Sequence, residues 1–500
     1  MEFKSISPGY ERCLHDESRL EGVADGIAFP EDTLQAAEAI RRAAAEGRSL
    51  TVQGARTGIA GGAVPRGGLI LGTEKMNQPL HSGFDADGRV VARVQAGLSF
   101  AELSGYVNRK IPGYRFLPNP TETSAALGGA FAVNAKGPNA LRYGGTGGYI
   151  EGLAWITPQG EVWEIERGRY RFDVKGCQLP DGSRLDIDAV IPRGASAFLY
   201  PFAGLDLVDF LSGSEGLIGV AAELTLRLEP LPSAAWAVVY FFTEVDKAPG
   251  FAEALSRWRK DSPRGQYLSQ VEYYDEASLC LIRQGHSAAL QRFPPIRDGY
   301  RAAVHVELEG DDAESLESAL AEHLTLFAES GGGDDDTWAA ADRTEVEKYR
   351  ILRHSAPELI NMEIDRIRRN LPEFRKTAAD FMVPPEKAVS WNARYHRDIA
   401  EAGVRGFVFG HILEGRLHVN LLGEDAEAFR RCQTLLETWS AAVLEDGGLL
   451  AAENGAGRLK ARLLSRFLSS ERLDQIRRII RRLDPQGLLG GADRFQVNNP

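Results

Sequence analysis

Three glycine-rich loops within the first 220 residues constrain the fold of this chain more than any other feature. They cover Gly54 to Gly68, Pro118 to Gly148 and Gly213 to Gly219, and the first follows a strand-like run, Ser49 to Gln53. Glycine lets successive backbone N–H groups approach a pyrophosphate closely. Neither GxGxxG after the first strand nor GxxxxGKS/T is present, which disfavours a Rossmann or P-loop site. One such loop is equally compatible with a structural turn, but three together predict a large bound cofactor.

Composition and charge exclude several classes of protein. The 500 residues predict about two or three domains. The net charge of −12 repels phosphate backbones and argues against nucleic acid as the principal partner. We expect no secretory signal and no transmembrane segment, because no apolar run reaches the roughly 18–20 residues of a spanning helix. Four cysteines without paired spacing exclude a disulfide framework, a zinc ribbon and a cysteine-ligated iron–sulfur cluster, and they fit a reducing, cytoplasmic setting.

The spacing of apolar residues predicts an α+β fold. A helix is expected to start at Pro30-Glu31-Asp32-Thr33 and to run to Glu46, ended by Gly47. Two strand-like runs, Ile150 to Thr157 and Glu161 to Ile165, flank a turn and predict a hairpin. From Ala234 onward, strands and helices follow one another without large glycine loops, which indicates a second domain.

The segment Phe407 to Leu422 predicts a β-hairpin that brings two histidines together. It is apolar on both sides of Glu414-Gly415, and a two-residue turn there places His411 opposite His418. Directly opposed residues have Cβ atoms roughly 4.5–5.5 Å apart on one face of the sheet. Two imidazoles so placed can share a divalent metal, and Asn420 faces the same side. The alternatives are a stacked histidine pair or two unrelated polar residues.

Several motifs occur in a fixed order along nearly the whole chain. They are Thr57-Gly58-Ile59-Ala60-Gly61-Gly62-Ala63-Val64-Pro65, Leu127-Gly128-Gly129-Ala130 with Asn134 and Gly137-Pro138, Leu141-Arg142-Tyr143-Gly144, Gly213-Ser214-Glu215-Gly216-Leu217-Ile218-Gly219-Val220 and Asp484-Pro485-Gln486-Gly487-Leu488-Leu489. In this order the chain resembles the FAD-linked oxidases of the vanillyl-alcohol oxidase (PCMH) type. Within them it is most similar to the branch of the glycolate oxidase large subunit, D-lactate dehydrogenase and D-2-hydroxyglutarate dehydrogenase.

The resemblance implies an FAD-binding domain of two α+β subdomains, residues 1–232 joined by 455–500, and an α+β substrate domain, residues 233–454. No histidine stands beside the glycine loops, so we expect the FAD to be non-covalent. Ala55 and Arg56 stand where family glycines are common. The residues implied at the pyrophosphate, flavin and adenosine are Gly54, Ala55, Arg56, Thr57, Gly58, Gly61, Gly62, Pro120, Thr123, Gly128, Gly129, Asn134, Gly137, Arg142, Glu215, Gly219, Val220 and Asn420.

The histidine hairpin resembles the family's metal-binding HxGDGNLHxN segment, although its turn residues differ. The resemblance implies His411 and His418 as metal ligands and Asn420 as a contact to flavin or substrate. Glu453 begins Glu-Asn-Gly-Ala-Gly, where the family has Glu-His-Gly-Ile-Gly, and would be the third ligand. Two histidines and one carboxylate suit zinc, iron or manganese.

Asn454 replaces the family histidine that is usually assigned the proton-abstracting role. Asparagine has no titratable acceptor near neutral pH and cannot be a general base. Either coordination of the substrate by the metal removes the need for a strong base, or Glu453 is the base, or the ancestral chemistry has changed or been lost. The resemblance therefore implies His411, His418, Asn420 and Asn454 as the catalytic set.

A hydroxy-acid substrate needs a cation for its carboxylate, and an arginine fork suits it best. Arg353 resembles the family's substrate-contacting arginine, and Lys376 is a second candidate. For either residue alone, the alternative is a surface salt bridge.

These features predict an FAD-dependent dehydrogenase that oxidises a small D-2-hydroxy acid to the 2-oxo acid with help from a metal. Electrons would leave to a quinone, an electron-transfer flavoprotein or an iron–sulfur subunit, since the chain offers no second redox centre. A cytoplasmic location is expected, and peripheral membrane association and a homodimer are left open. Two alternatives remain: a non-catalytic or electron-relay flavoprotein subunit, and an FAD oxidoreductase acting on a different alcohol.

Overall fold

The structure, a computed structural model, divides the chain into two compact units. The first comprises Met1–Gly137, Gly144–Leu231 and Glu453–Pro500, and the second comprises Pro138–Tyr143 and Pro232–Ala452. The residues described are 1–118, 120–187, 202–285, 293–333, 335–341, 343–372, 374 and 376–489, without the side chains of 343, 347 and 350. Pro138–Tyr143 groups with the second unit, although the sequence predicts it in the first domain. The last part of the predicted 455–500 segment, 490–500, lies outside the described residues.

The strands are β1 (Lys4–Ser5), β2 (Gly26–Ala28), β3 (Leu50–Gln53), β4 (Leu69–Gly72), β5 (Pro79–Phe84), β6 (Val90–Gln95), β7 (Tyr114–Arg115), β8 (Ile150–Ile156), β9 (Val162–Glu166), β10 (Gly176–Gln178), β11 (Arg184–Asp186), β12 (Val220–Arg227), β13 (Glu229–Pro230), β14 (Ala234–Phe242), β15 (Leu268–Tyr274), β16 (Ala302–Gly310), β17 (Thr337–Ala340), β18 (Thr377–Asp380), β19 (Arg405–His411) and β20 (Arg416–Leu422). The helices are α1 (Thr33–Ala45), α2 (Phe100–Lys110), α3 (Leu127–Ala132), α4 (Ala140–Tyr143), α5 (Leu207–Leu211), α6 (Lys247–Asp261), α7 (Glu276–Gln284), α8 (Ala313–Glu329), α9 (Arg343–Arg368), α10 (Ala388–Ala402), α11 (Ala426–Glu445), α12 (Ala461–Phe467) and α13 (Ser470–Leu483).

The first unit contains two main sheets. One has the order β1-β2-β4-β3, in which β4 runs parallel to both β2 and β3. The other is antiparallel with the order β5-β6-β12-β8-β9. The predicted hairpin of β8 and β9 is confirmed. The α+β fold class is confirmed as well.

Helix α1 forms where the sequence predicts it. The Asp32 carboxylate accepts a hydrogen bond from the Gln35 N–H at 2.8 Å and caps the first turn. The small residues of one face, which include Ala36 and Ala43, are buried in the core with strands β3 and β4. Gly47, with a φ of +62°, adopts the left-handed conformation that follows the end of the helix.

The second unit is built on one antiparallel sheet with the strand order β17-β14-β16-β15-β19-β20-β18. One face packs on helices α7 and α9 in a core that includes Val239, Phe241 and Ile360. Strands β15, β16, β19 and β20 also carry buried polar side chains, which include Glu272, His305 and His411. Polar residues in such positions cost free energy unless they are paired, so this part of the sheet is the place to look for a functional site.

Among the helices of the described residues, none combines the length and the hydropathy that crossing a bilayer requires.

Candidate active site

The hairpin of β19 and β20 forms, but its turn is longer than the sequence predicts. His411 pairs with Arg416, and Phe409 pairs with His418. The predicted pairing of His411 with His418 across a two-residue turn is therefore wrong. A single 3-10 turn, Ile412–Glu414, followed by Gly415 with a φ of +68°, joins the strands and shifts the register by two residues.

Both histidines nevertheless lie on one face, because a shift of two residues preserves the side on which a strand residue points. The imidazole centroids of His411 and His418 are 6.0 Å apart, with their planes at 72°. This edge-on arrangement is not the parallel stacking of the alternative interpretation. Asn420, opposite Phe407, lies on the same face and is nearly buried.

Glu453 is the third predicted ligand, and it follows directly on the last residue of the second unit. Its neighbour Ala452 donates its N–H to the Asp380 carbonyl at 3.1 Å, and Asp380 pairs with His418 across β18 and β20. Ligand atoms of His411, His418 and Glu453 all lie within 4.8 Å of one another. Two atoms each about 2.0–2.2 Å from one ion are at most about 4.4 Å apart, so small side-chain rotations suffice. The donor set therefore fits a divalent metal.

Two carboxylates flank the buried imidazole of His411. Its Nε2 lies 3.5 Å from Oε1 of Glu272, and its Nδ1 lies 3.8 Å from Oε2 of Glu414. Glu414 in turn pairs at 2.9 Å with the guanidinium of Arg416, which is fully buried. Carboxylates beside metal-binding histidines orient the ring and fix its tautomer.

Arg353 lies in helix α9 and forms a buried ion pair with Glu272. Burial alone raises the pKa of Glu272, but the charge and hydrogen bond of the Arg353 guanidinium outweigh it and hold that pKa below its ordinary value. Arg353 is thus connected through Glu272 to His411. The Lys376 ammonium donates instead to the Asn361 carboxamide at 2.9 Å.

A cleft of about 500 Å³, its solvent-open part included, lies within the first unit. Its walls combine the ends of the parallel strands β3 and β4 with all three glycine loops. The lining residues are Val52, Gly54, Thr73, Ala96, Gly128, Gly129, Phe131, Ala132, Trp155, Ser214, Glu215, Gly216, Gly219, Val220 and Ala221. A cleft of exposed backbone and small residues fits a long dinucleotide.

The predicted cofactor residues divide into two groups. Those in the lining are Gly54, Gly128, Gly129, Glu215, Gly219 and Val220. The others, Ala55, Arg56, Thr57, Gly58, Gly61, Gly62, Pro120, Thr123, Asn134, Gly137, Arg142 and Asn420, lie outside this lining.

Three residues of the second group make internal contacts. Arg56, with a φ of +61°, lies 3.5 Å from the Glu74 carboxylate. The Asn134 carboxamide accepts the Gly147 N–H at 3.0 Å and joins two parts of the second loop. Arg142 belongs to the second unit, where its guanidinium donates to the Glu309 carbonyl.

Val52, Thr73 and Trp155 line the cleft but are absent from the sequence prediction. Val52 and Thr73 could have been found, because ligands of open parallel sheets bind beyond the carboxyl ends of the strands and these two residues lie at the ends of β3 and β4. Trp155 gives no local signal, since its position depends on the pairing of β8 with β12.

Replacing Gly219 with alanine should weaken the binding of FAD in the cleft. A Cβ there would lie 2.3 Å from Nε1 of Trp155, and the φ of +153° suits only glycine. Such strain costs about 1–3 kcal/mol before the clash is counted, so we expect FAD affinity to fall at least ~10-fold. Flavin absorbance per chain measures it. Gly9→Ala, which meets no atom within 4 Å, is the control and should keep its flavin.

Two family models match this chain. Residues 232–491 match the family described as FAD linked oxidases, C-terminal domain, and residues 24–166 match the FAD binding domain. The chain belongs to the FAD linked oxidases. It is an FAD-dependent oxidoreductase.

Relatives of known name cover almost the whole chain. A D-lactate dehydrogenase of Anaerostipes hadrus is 24% identical over 97% of this chain and 95% of its own length. A D-2-hydroxyglutarate dehydrogenase of Xanthomonas citri pv. viticola is 25% identical over 95% and 89%. A solved 4-ethylphenol oxidase from Gulosibacter chungangensis has a TM-score of 0.65 at 16% identity, over 96% of this chain and 90% of that one. A chitooligosaccharide oxidase has a TM-score of 0.64 at 13% identity, over 98% and 95%. The two structures show that the fold is shared.

Proposed function

We propose that this oxidoreductase oxidises a small D-2-hydroxy acid to the 2-oxo acid, with a divalent metal held by His411, His418 and Glu453. The observation that carries the proposal is the clustering of these three ligand groups within 4.8 Å. Relatives named D-lactate and D-2-hydroxyglutarate dehydrogenase support the substrate class. Zinc, iron and manganese all suit the donor set.

The metal, the FAD and the residues around them would have separate roles in the oxidation. A divalent ion at this position would polarise the substrate hydroxyl and lower its pKa. FAD would accept the hydride. Glu272 and Glu414 place a carboxylate 3.5 and 3.8 Å from the two ring nitrogens of His411, where negative charge favours a metal-bound imidazole. Asn420 offers a carboxamide on the same face for a hydrogen bond to substrate or flavin. Electrons would then pass to a quinone, an electron-transfer flavoprotein or an iron–sulfur protein.

Anaerobic mixing with 2-hydroxy acids tests the proposal. One D-acid of the panel should bleach the flavin, its L-enantiomer should not, and His411→Ala should lose the bleaching without losing FAD. His81→Ala, an exposed histidine of the first unit, is the matched control and should bleach as the wild type does. Failure of every acid, with FAD and metal both bound, would contradict the proposal.

If no 2-hydroxy acid bleaches the flavin, the result favours a second candidate function. This candidate is a flavoprotein subunit that relays electrons without oxidising a hydroxy acid. Asn454 is the observation that favours it, because a carboxamide cannot remove a proton. Bleaching by another alcohol, and by no acid, would instead indicate a different substrate.

The variant Asn454→His tests whether the absence of the family histidine limits the rate of flavin reduction. If proton removal limits the natural enzyme, a histidine should raise the rate of flavin reduction by about 10²-fold, the lower range for general base catalysis. The rate should then rise with pH through the imidazole pKa. An unchanged rate would mean that metal coordination or Glu453 already meets the need for a base.

A further inference from the structure

We propose that Glu215 is a positioning residue that fixes the backbone of the segment Glu453–Gly457 and thereby the position of the Glu453 carboxylate. The inference rests on the metal site of the proposed function and adds a residue from the third glycine loop to it. Its support comes from contacts inside the first unit, which contains both Glu215 and the segment.

The Glu215 carboxylate binds the backbone directly beyond Glu453 and Asn454. Its Oε1 accepts the Ala456 N–H at 2.6 Å, and its Oε2 accepts the Gly457 N–H at 2.9 Å. Two successive N–H groups are thus held by the two oxygens of one charged group, which makes these hydrogen bonds short and directional. Because Glu453 is three residues before Ala456, the path of its backbone depends on this anchor.

Two glycines of the segment Glu453–Gly457 allow close approach of the Glu215 carboxylate and of the first glycine loop. Gly455 has a φ of +72°, and a Cβ there would lie 2.9 Å from Oε1 of Glu215. Gly457 has a φ of +51°, and a Cβ there would lie 2.1 Å from the Ala60 carbonyl oxygen. That same carbonyl accepts the N–H groups of Arg458 and Leu459. The first and third glycine loops therefore both bind the segment that follows Glu453.

Glu215 is itself held in an unusual conformation. It has a φ of +54°, and its N–H donates to the Ala132 carbonyl at 2.7 Å. It also lines the cleft of the first unit. The strained backbone aims the carboxylate at the segment, and such strain is typical of sites where one side-chain direction matters. Sequence resemblance alone implies a contact with the adenosine end of FAD for this residue.

The test is a Mn²⁺ titration of the FAD-loaded protein, with free Mn²⁺ followed by electron paramagnetic resonance. In Glu215→Gln, the amide group of the new side chain faces one of the two backbone donors, so one hydrogen bond is lost. We expect Mn²⁺ affinity to fall about 10- to 100-fold, as it does when outer partners of metal ligands are removed. Because Glu215 also lines the cleft of the first unit, the Mn²⁺ affinities are compared between samples matched for FAD content by their flavin absorption.

Asp484→Asn is the matched control. Asp484 also lies in the first unit and accepts two successive N–H groups, those of Leu488 and Leu489, at 3.0 and 2.8 Å. Its replacement should lower the Tm as much as Glu215→Gln does and leave Mn²⁺ affinity unchanged. Gly455→Ala, which strains the same segment with Glu215 intact, should reproduce the loss of affinity even if Glu215→Gln folds poorly.

The outcomes separate this inference from the proposed function. Tight Mn²⁺ binding by the wild type with equal affinity in Glu215→Gln would overturn the positioning role and leave the metal site standing. If Glu215→Gln and Asp484→Asn lose Mn²⁺ affinity equally, the positioning role is also overturned, because the loss then follows from lower stability of the fold. A wild type that binds neither Mn²⁺ nor Zn²⁺ would overturn both.

Discussion

Replacing Arg353 with methionine should lower the free energy of unfolding by about 3–5 kcal/mol, because it leaves the Glu272 carboxylate buried without its guanidinium. The two side chains are only 9% and 3% exposed, so water cannot replace the lost partner. Urea denaturation of the FAD-loaded protein measures the change.

Two further variants make this result specific to a buried pair. Arg366→Met removes an arginine from the same helix whose side chain is 52% exposed, and its loss should cost less than about 1 kcal/mol. The double variant Glu272→Met with Arg353→Met should recover most of the stability, since a buried ion pair can be exchanged for apolar side chains at little cost. If Arg353→Met is as stable as the wild type, the pair of Arg353 and Glu272 is solvated.

His418→Ala should abolish tight binding of a divalent metal. Removal of one of three protein ligands should cost more than the roughly 10–100-fold that follows the loss of an outer partner. Stability should change less than in Arg353→Met, because the His418 side chain is only partly buried. Metal content after dialysis, measured against FAD content, gives the result. Full metal retention in His418→Ala would remove His418 from the ligand set.

The histidine hairpin shows how far a sequence can predict a site. Alternation along two strands determines which residues share a face, so His411, His418 and Asn420 could be grouped without coordinates. The register could not be predicted, because the 3-10 turn and the left-handed Gly415 leave no distinctive pattern beside an apolar run. The face is correct and the pairing is wrong because the shift is an even number of residues.

Glu272 shows what the sequence could not reveal. It lies 139 residues before His411, inside a strand, and nothing in its local pattern distinguishes it from a surface glutamate. Its role depends on β15 pairing with β19 and on α9 bringing in Arg353. The same holds for Glu215, whose carboxylate binds a segment 241 residues away. Glycine loops can be located from sequence because their composition is local, whereas these long-range carboxylate contacts depend on tertiary structure.

The most direct test of the proposed metal site is the rate at which a D-2-hydroxy acid reduces the flavin of one sample before chelation, after chelation and after metal is returned. We expect the rate to fall at least ~100-fold on chelation while FAD stays bound, and to return with the metal. A rate that does not change on complete metal removal would contradict the claim that His411, His418 and Glu453 hold the metal that assists this oxidation.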